Sequence, residues 1–247
     1  MAVGCEFLSL SATGSIQFGP DPPQSVLQPV TLPSGQVMSN GLVKVAMYEH
    51  MARFSGGLPN ADHFALYDLW SKGGWGMIMT GNVQVSNNHL ALGRDMVLPE
   101  TITQNTLRSY QLLACCMRPA PSLEQNLSEN QDVSTPRTLI IMQVSHAGRQ
   151  SPAVLGGRAL SLPPLAPSAI AVGRSAPSGW LGRLLYKFLF PTPRTMNLRD
   201  IDYVVDRFVF GAKLAHKAYF DGIELHASHG CQSSNTPLPE NGELMAM

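Results

Sequence analysis

Late in the chain, residues 220–230 read Phe220-Asp-Gly-Ile-Glu-Leu-His-Ala-Ser-His-Gly230. The first seven alternate in the two-residue period of a β-strand. Alternation puts Glu224 and His226 on one face, with Ile223 and Leu225 on the other. His229 follows three residues on, past the strand's end. Just before this strand, Asn197–Tyr219 reads as a helix. Asn197 is placed to cap it and Asp200 lies in the first turn. Ile201, Val204, Val205, Phe208, Ala212, Ala215 and Tyr219 form one apolar face.

The same alternation of elements repeats toward the N-terminus. Leu139–Val144 is strand-like, and Glu100–Met117 before it is roughly periodic and stops at Pro119. Gly76–Gly81 is another short apolar run. Asn60–Lys72 is helical, with Phe64, Tyr67 and Trp70 at three-residue steps and Gly73-Gly74 as a stop. Gly41–Met47 is the first strand. Strands alternating with helices predict a parallel sheet covered by helices. Polar residues cluster where each strand ends: Thr80 and Asn82, Gln143 and His146, His226 and His229. In barrels and open α/β sheets that end binds ligands. The spacing therefore predicts a barrel-type α/β fold.

Between these units the composition changes. Residues 1–36 hold five prolines among polar residues and predict an irregular N-terminal arm. Residues 119–137 read as a surface loop. Residues 147–196 read as a long excursion whose one periodic segment is Trp180–Phe190, and loops of this length are commonly functional. Residues 231–247 form a polar tail.

The chain has 247 residues, with 17 Lys+Arg against 17 Asp+Glu. Zero net charge gives no reason to expect nucleic acid or an anionic membrane as partner. No apolar run approaches the ~20 residues of a membrane span. The four cysteines show no C-x-x-C, which fits reduced intracellular usage. Met1–Gly14 lacks a basic start and any Arg, so neither a secretory nor a mitochondrial leader is expected, and the cytoplasm is the expected compartment. No Gly-x-Gly-x-x-Gly follows the first strand, and there is no P-loop, so neither nucleotide motif is supported.

Read as residues alone, His226 and His229 admit three roles: a pair holding a carbonyl or anion, structural histidines, or two ligands of a metal completed by His146. Gln143 at a strand end suits either a heterocycle edge or a neighbouring backbone group. Gly81 permits close approach of a ring or an ordinary turn. Arg94 beside Asp95 reads as an organiser of its loop. Tyr67, Trp70 and Trp75 read as packing residues, and Cys115 and Cys116 as helix residues rather than nucleophiles.

Together these segments resemble the Old Yellow Enzyme family, the NADH:flavin oxidoreductase/NADH oxidase group. The resemblance runs from about Leu32 to Gly230. It is carried by Asn40–Met47, Gly74–Gly81, Gln143-Val-Ser-His-Ala-Gly-Arg-Gln150, Leu165–Ile170 and Phe220–Gly230. Trp75 and Gly93–Pro99 are similar to the fungal branch. The resemblance implies the N-terminal half of a TIM (β/α)8 barrel at residues 37–230, with about four parallel strands and three covering helices. It implies FMN as cofactor and NAD(P)H as electron donor, with activated C=C bonds of enone-type substrates reduced. The backbone of Val45, Ala46 and Met47 would line the flavin, Gly81 would lie beside it, and Gln143 would bond its pyrimidine edge. His226 and His229 would hold the substrate carbonyl, with His226 also near the flavin.

Three positions depart from the family pattern. Cys231 stands where the family places a tyrosine proton donor, and Tyr48 where it often places Thr or Cys. After Gly230 the family's apolar helix start is missing. That loss of pattern predicts a frameshift, retained intron or mis-predicted exon, a chain truncated after the fourth barrel strand, self-association through open half-barrel edges, and weak FMN retention. A catalytically inactive fragment and a metal-dependent hydrolase using His146, His226 and His229 are the alternative readings.

Overall fold

The computed structural model describes residues 26–119, 134–172 and 179–227, and the backbone of the antiparallel pair Ser9–Leu10 and Ile16–Gln17. Residues 120–133, within the expected loop, and the tail with His229 and Cys231 lie outside the described residues.

Six short strands form one all-parallel sheet: β1 (Val43–Lys44), β2 (Met77–Met79), β3 (Val83–Gln84), β4 (Met96–Val97), β5 (Leu139–Ser145) and β6 (Gly222–Leu225). β5 is central and buried along its whole length. One side of it pairs with β2 and then β3, and the other side with β6. β1 lies outside β2, and β4 outside β3. The sheet is thus four strands wide, curled as a partial TIM barrel.

β2 and β3 are one strand interrupted. Met79 pairs with Ile141, whereas Val83 pairs with Val144. Three residues on one strand therefore oppose two on the other, which is a β-bulge at Thr80–Asn82. Thr80 fastens it: its N–H donates to the Ile141 carbonyl at 3.0 Å, and its hydroxyl accepts the Gln143 N–H at 2.9 Å.

Parallel strands need crossovers, and helices supply them. α1 (Ala61–Ser71) starts at Asn60, whose side chain accepts the backbone N–H groups of Asp62 and His63. Its fully buried row is His63, Tyr67 and Ser71, with Phe64 and Trp70 packed at the margin of the core. The three-residue apolar steps therefore mark the flanks of the buried face. α2 (Gln104–Cys116) begins later than the periodicity suggests because Thr103 caps it and pairs with Thr106.

α3 (Trp180–Leu189) lies in the excursion. α4 (Leu198–Lys217) is capped by Asn197 and Asp200, and Arg194 grips the Asp200 carboxylate with two contacts of 2.9 Å. Its buried row is Val204, Arg207, Gly211, Leu214 and Ala215, while Ile201 and Val205 are exposed. The helix is rotated from the expected face so that Gly211 can approach the sheet. A Cβ there would meet Leu98 and Val144 side-chain carbons at 3.0 Å. The rotation also buries Arg207. Its guanidinium donates to the carbonyls of Val85, Leu98 and Pro99 at 2.8, 3.1 and 3.0 Å, replacing water with fixed acceptors.

The N-terminal ends of the strands are closed by a hairpin, Val30–Thr31 against Val37–Met38, so part of the expected irregular arm is regular. Here Asp221 joins three segments. It contacts Arg137 at 2.6 Å and Arg118 at 3.3 Å, and accepts the Ile140 N–H at 2.8 Å. This buried cluster fixes where β6 begins relative to β5.

Candidate functional site

The C-terminal ends of the strands carry the polar residues. At the exit of β1, Val45 and Met47 are exposed by 58% and 48%, so an apolar strip faces outward rather than into the core. Ala46 between them is half-buried. Gly81 sits at the bulge, against the segment that follows β1. A Cβ on Gly81 would lie 2.3 Å from the Met47 carbonyl oxygen and 2.1 Å from Glu49 Oε2. Only glycine permits that approach.

A network that no spacing in the sequence announces lies behind Gly81. The Gly81 N–H donates to Glu49 Oε1 at 2.8 Å and to the Tyr67 hydroxyl at 2.9 Å, and that hydroxyl donates to Glu49. Burial raises the Glu49 carboxyl above its usual range, against the pull of the Tyr67 and Gly81 hydrogen bonds. Burial and then the Glu49 charge raise the Tyr67 phenol. Lys44 donates to the Met79 carbonyl at 3.1 Å and lies 3.9 Å from the centre of the Trp70 ring. Burial lowers its pKa to about 8, with Glu49 opposing. Tyr67 and Trp70 pack as expected, and Tyr67 also bonds.

On the inner face, Gln143 and Glu224 are register partners of β5 and β6, and the Gln143 amide donates to Glu224 Oε2 at 3.0 Å. Ile223 points the other way, onto the core, as alternation requires. His226 follows directly, half-buried, its N–H bonded to the Val144 carbonyl at 3.0 Å. Gln143, Glu224 and His226 are therefore brought to one strand mouth.

His146 is not part of that group. It is buried, its ring centre lies 4.6 Å from that of His89, and its Nδ1 accepts the Gly148 N–H at 3.0 Å. Burial, followed by the neighbouring His89, lowers its pKa well below the usual imidazole value. His89 Nε2 accepts the Leu165 N–H at 3.1 Å, so its proton sits on Nδ1, facing the Ser86 hydroxyl at 3.1 Å. The ring contact pairs His146 with His89. Among the described residues no group of three His, Cys, Asp or Glu could hold a metal ion. Asp95 organises its loop as expected, accepting the N–H groups of Ala91, Leu92 and Gly93 and the Gln84 amide.

No family model matches the chain. Curated relatives do. The NADH-dependent flavin oxidoreductase iliE of Neonectria sp. (strain DH2) is 37% identical over 204 residues, 82% of this chain and 24% of that protein. Its namesake in Hypocrea jecorina is 31% identical over 82% of this chain and 46% of its own length. The NADH-dependent flavin oxidoreductase iccE of Talaromyces variabilis is 34% identical, over 81% and 44%. Among solved structures, the Old Yellow Enzyme homologue of Zymomonas mobilis aligns with a TM-score of 0.60 at 17% identity, over 84% of this chain and 49% of that one. Morphinone reductase aligns with 0.61 at 18%, over 84% and 49%.

Over most of its length the chain is similar to NADH-dependent flavin oxidoreductases, and its fold is that of half an Old Yellow Enzyme barrel. It spans less than half the length of the curated relatives it matches. Within that family fold, Val45, Ala46, Met47, Gly81, Gln143 and His226 all fall at the C-terminal ends of neighbouring strands. Three of the missed residues, Glu49, Tyr67 and Lys44, come together only through the fold. The fourth, Glu224, was legible as a facing position but not as the partner of Gln143.

Proposed function

We propose that this chain carries the flavin-facing half of an FMN-dependent, NAD(P)H-driven reductase of activated C=C bonds. The observation behind the proposal is the juxtaposition of the Gln143 amide, Glu224 and His226 at one strand mouth, with the exposed Val45–Met47 strip on the far side of β2. Such a set suits a flat heterocycle with one polar edge: an apolar strip for the ring, and an amide for the edge. Gln84 Oε1 and Ser145 Oγ support the fit. Both are buried without a protein partner, and they are register partners on β3 and β5, one acceptor and one hydroxyl on the face that Gln143 shares.

Bound FMN would supply hydride transfer from NAD(P)H to the β-carbon of an α,β-unsaturated carbonyl. The α-carbon would take its proton from solvent, and the chain's own residues hold the reactants. Gln143 holds the pyrimidine edge, with Glu224 fixing its amide. The backbone of Val45, Ala46 and Met47 lines the ring, and Gly81 leaves room beside it. His226, with His229, donates to the substrate carbonyl oxygen, where negative charge grows as hydride arrives.

The test is an FMN fluorescence titration, followed by anaerobic addition of NADH and then 2-cyclohexenone. Saturable quenching, bleaching by NADH and recolouring by the enone are expected. Saturable binding with no recolouring in His226→Ala would place His226 on the substrate. FMN that stays wholly free, alone and with the matching half of a relative co-expressed, would end the proposal. That co-expression also tests a second reading, an inactive half that needs a complement, which the exposed Val45–Met47 strip favours.

A further inference from the structure

α3 is an amphipathic helix whose apolar side is largely exposed. Trp180 is 78% exposed, and Leu181, Leu184, Leu185 and Phe188 are between 56% and 63% exposed. At about 100° per residue these five fall within an arc of about 140°. The helix is moored from behind. Tyr186, about 170° from the centre of that arc by the same period, donates its hydroxyl to the Val172 carbonyl at 2.8 Å. At the C-terminal end, the Leu189 carbonyl accepts the Ala153 N–H at 2.8 Å. The stripe is thus held facing away from the body, and Arg183 and Lys187 line its Trp180 edge, both exposed.

Whole-chain neutrality conceals a local imbalance. From Val133 to Arg199 the sequence carries seven Arg and one Lys, and no Asp or Glu; Arg137 and Arg194 pair with Asp221 and Asp200, and the other six cations have no acidic residue in the segment. An apolar stripe of Trp, Leu and Phe edged by cations is the chemistry of a helix lying in a membrane interface. We propose that α3 docks the protein on a bilayer surface rich in anionic headgroups, with Trp180, Leu184 and Phe188 inserted at the headgroup–acyl boundary and Arg183 and Lys187 against the phosphates. Ten residues span about 15 Å, half a hydrocarbon core, so the helix lies on the surface rather than crossing it. A second copy is the poorer occupant. Face-to-face pairing would bring Arg183 and Lys187 of two chains together, with no carboxylate in the segment to separate them.

The experiment is flotation of the full chain with phosphatidylcholine vesicles, with and without phosphatidylglycerol, together with tryptophan emission. Trp70 and Trp75 are half-buried, so a blue shift reports Trp180. Binding and a blue shift are expected only with the anionic lipid. Leu184→Asp with Phe188→Asp is expected to abolish both. Arg183→Ala with Lys187→Ala is expected to weaken binding about 25-fold, at roughly fivefold per cation near an anionic surface. These residues are exposed, so the variants are expected to keep the wild-type circular dichroism and urea midpoint. Equal binding to both vesicle types, no binding to either, or a dimer in light scattering that Leu184→Asp dissolves would each overturn the proposal.

Discussion

Lowering the pH from 7 to 5 removes about 2 kcal/mol of stability through His89 alone. Burial, then the positive charges of Arg158 and Arg194, hold its pKa at about 4 in the fold, against 6.5 in an open chain. The neutral imidazole is the folded form. Its contribution is complete above pH 6.5 and is lost as pH falls toward 4, because the unfolded chain takes up a proton that the folded one refuses. Each pH unit in that window is worth about 1.4 kcal/mol, and pH 5 lies about 1.5 units into it. Total stability is typically about 5–15 kcal/mol, so this is a sizeable share. His146 and His63 act with the same sign. Glu49 acts with the opposite sign, since its raised pKa favours the folded chain as it protonates. Comparing wild type with His89→Gln cancels His63 and Glu49, and leaves the larger, burial-driven part of the His146 effect in both proteins. Urea midpoints at pH 7 and pH 5 are expected to show a pH dependence about 2 kcal/mol smaller in the variant. Equal pH dependence in the two proteins, or a His89 imidazole resonance titrating near 6.5 in the folded chain, would refute the reasoning.

Asp221→Asn leaves Arg118 and Arg137 without their shared carboxylate in a buried place, and a loss of about 3–5 kcal/mol is expected in thermal melts. Gly81→Ala drives a methyl against the Met47 carbonyl and is expected to destabilise by about 1–3 kcal/mol in urea titrations. Adding Glu49→Ala is expected to restore only part of that loss, because the carbonyl remains. Gln143→Leu is expected to weaken FMN binding about tenfold, the value of roughly one net hydrogen bond, by fluorescence quenching. Unchanged affinity would remove Gln143 from the flavin site.

An unbroken apolar run located β5, which is buried along its whole length, and period-3.6 patterns located α2 and α4, which bury one face each. β3 and β4 escaped notice because two residues cannot display an alternation. The register change that creates β3 is a single extra residue, invisible without its partner strand. On α4 the expected face was displaced because Arg207 and Gly211, neither of them apolar markers, occupy the buried row. Gln143, Gly81 and His226 were legible because they stand at strand ends. Glu49, Tyr67 and Lys44 were not, because the positions share no spacing and the network exists only once β1, α1 and the bulge have met.

The parallel arrangement around β5 also sets an order in time. A chain emerging from the ribosome has β1 to β5 available once Ser145 is out, but the other side of β5 is covered only by β6, which ends at Leu225. About 80 residues lie between, roughly 4–16 s of synthesis at 5–20 residues per second. Throughout that interval a seven-residue strand, apolar except for Gln143 and Ser145, offers one bare row of backbone groups. It is the part of the chain most exposed to the wrong neighbour, and where a chaperone would be needed first.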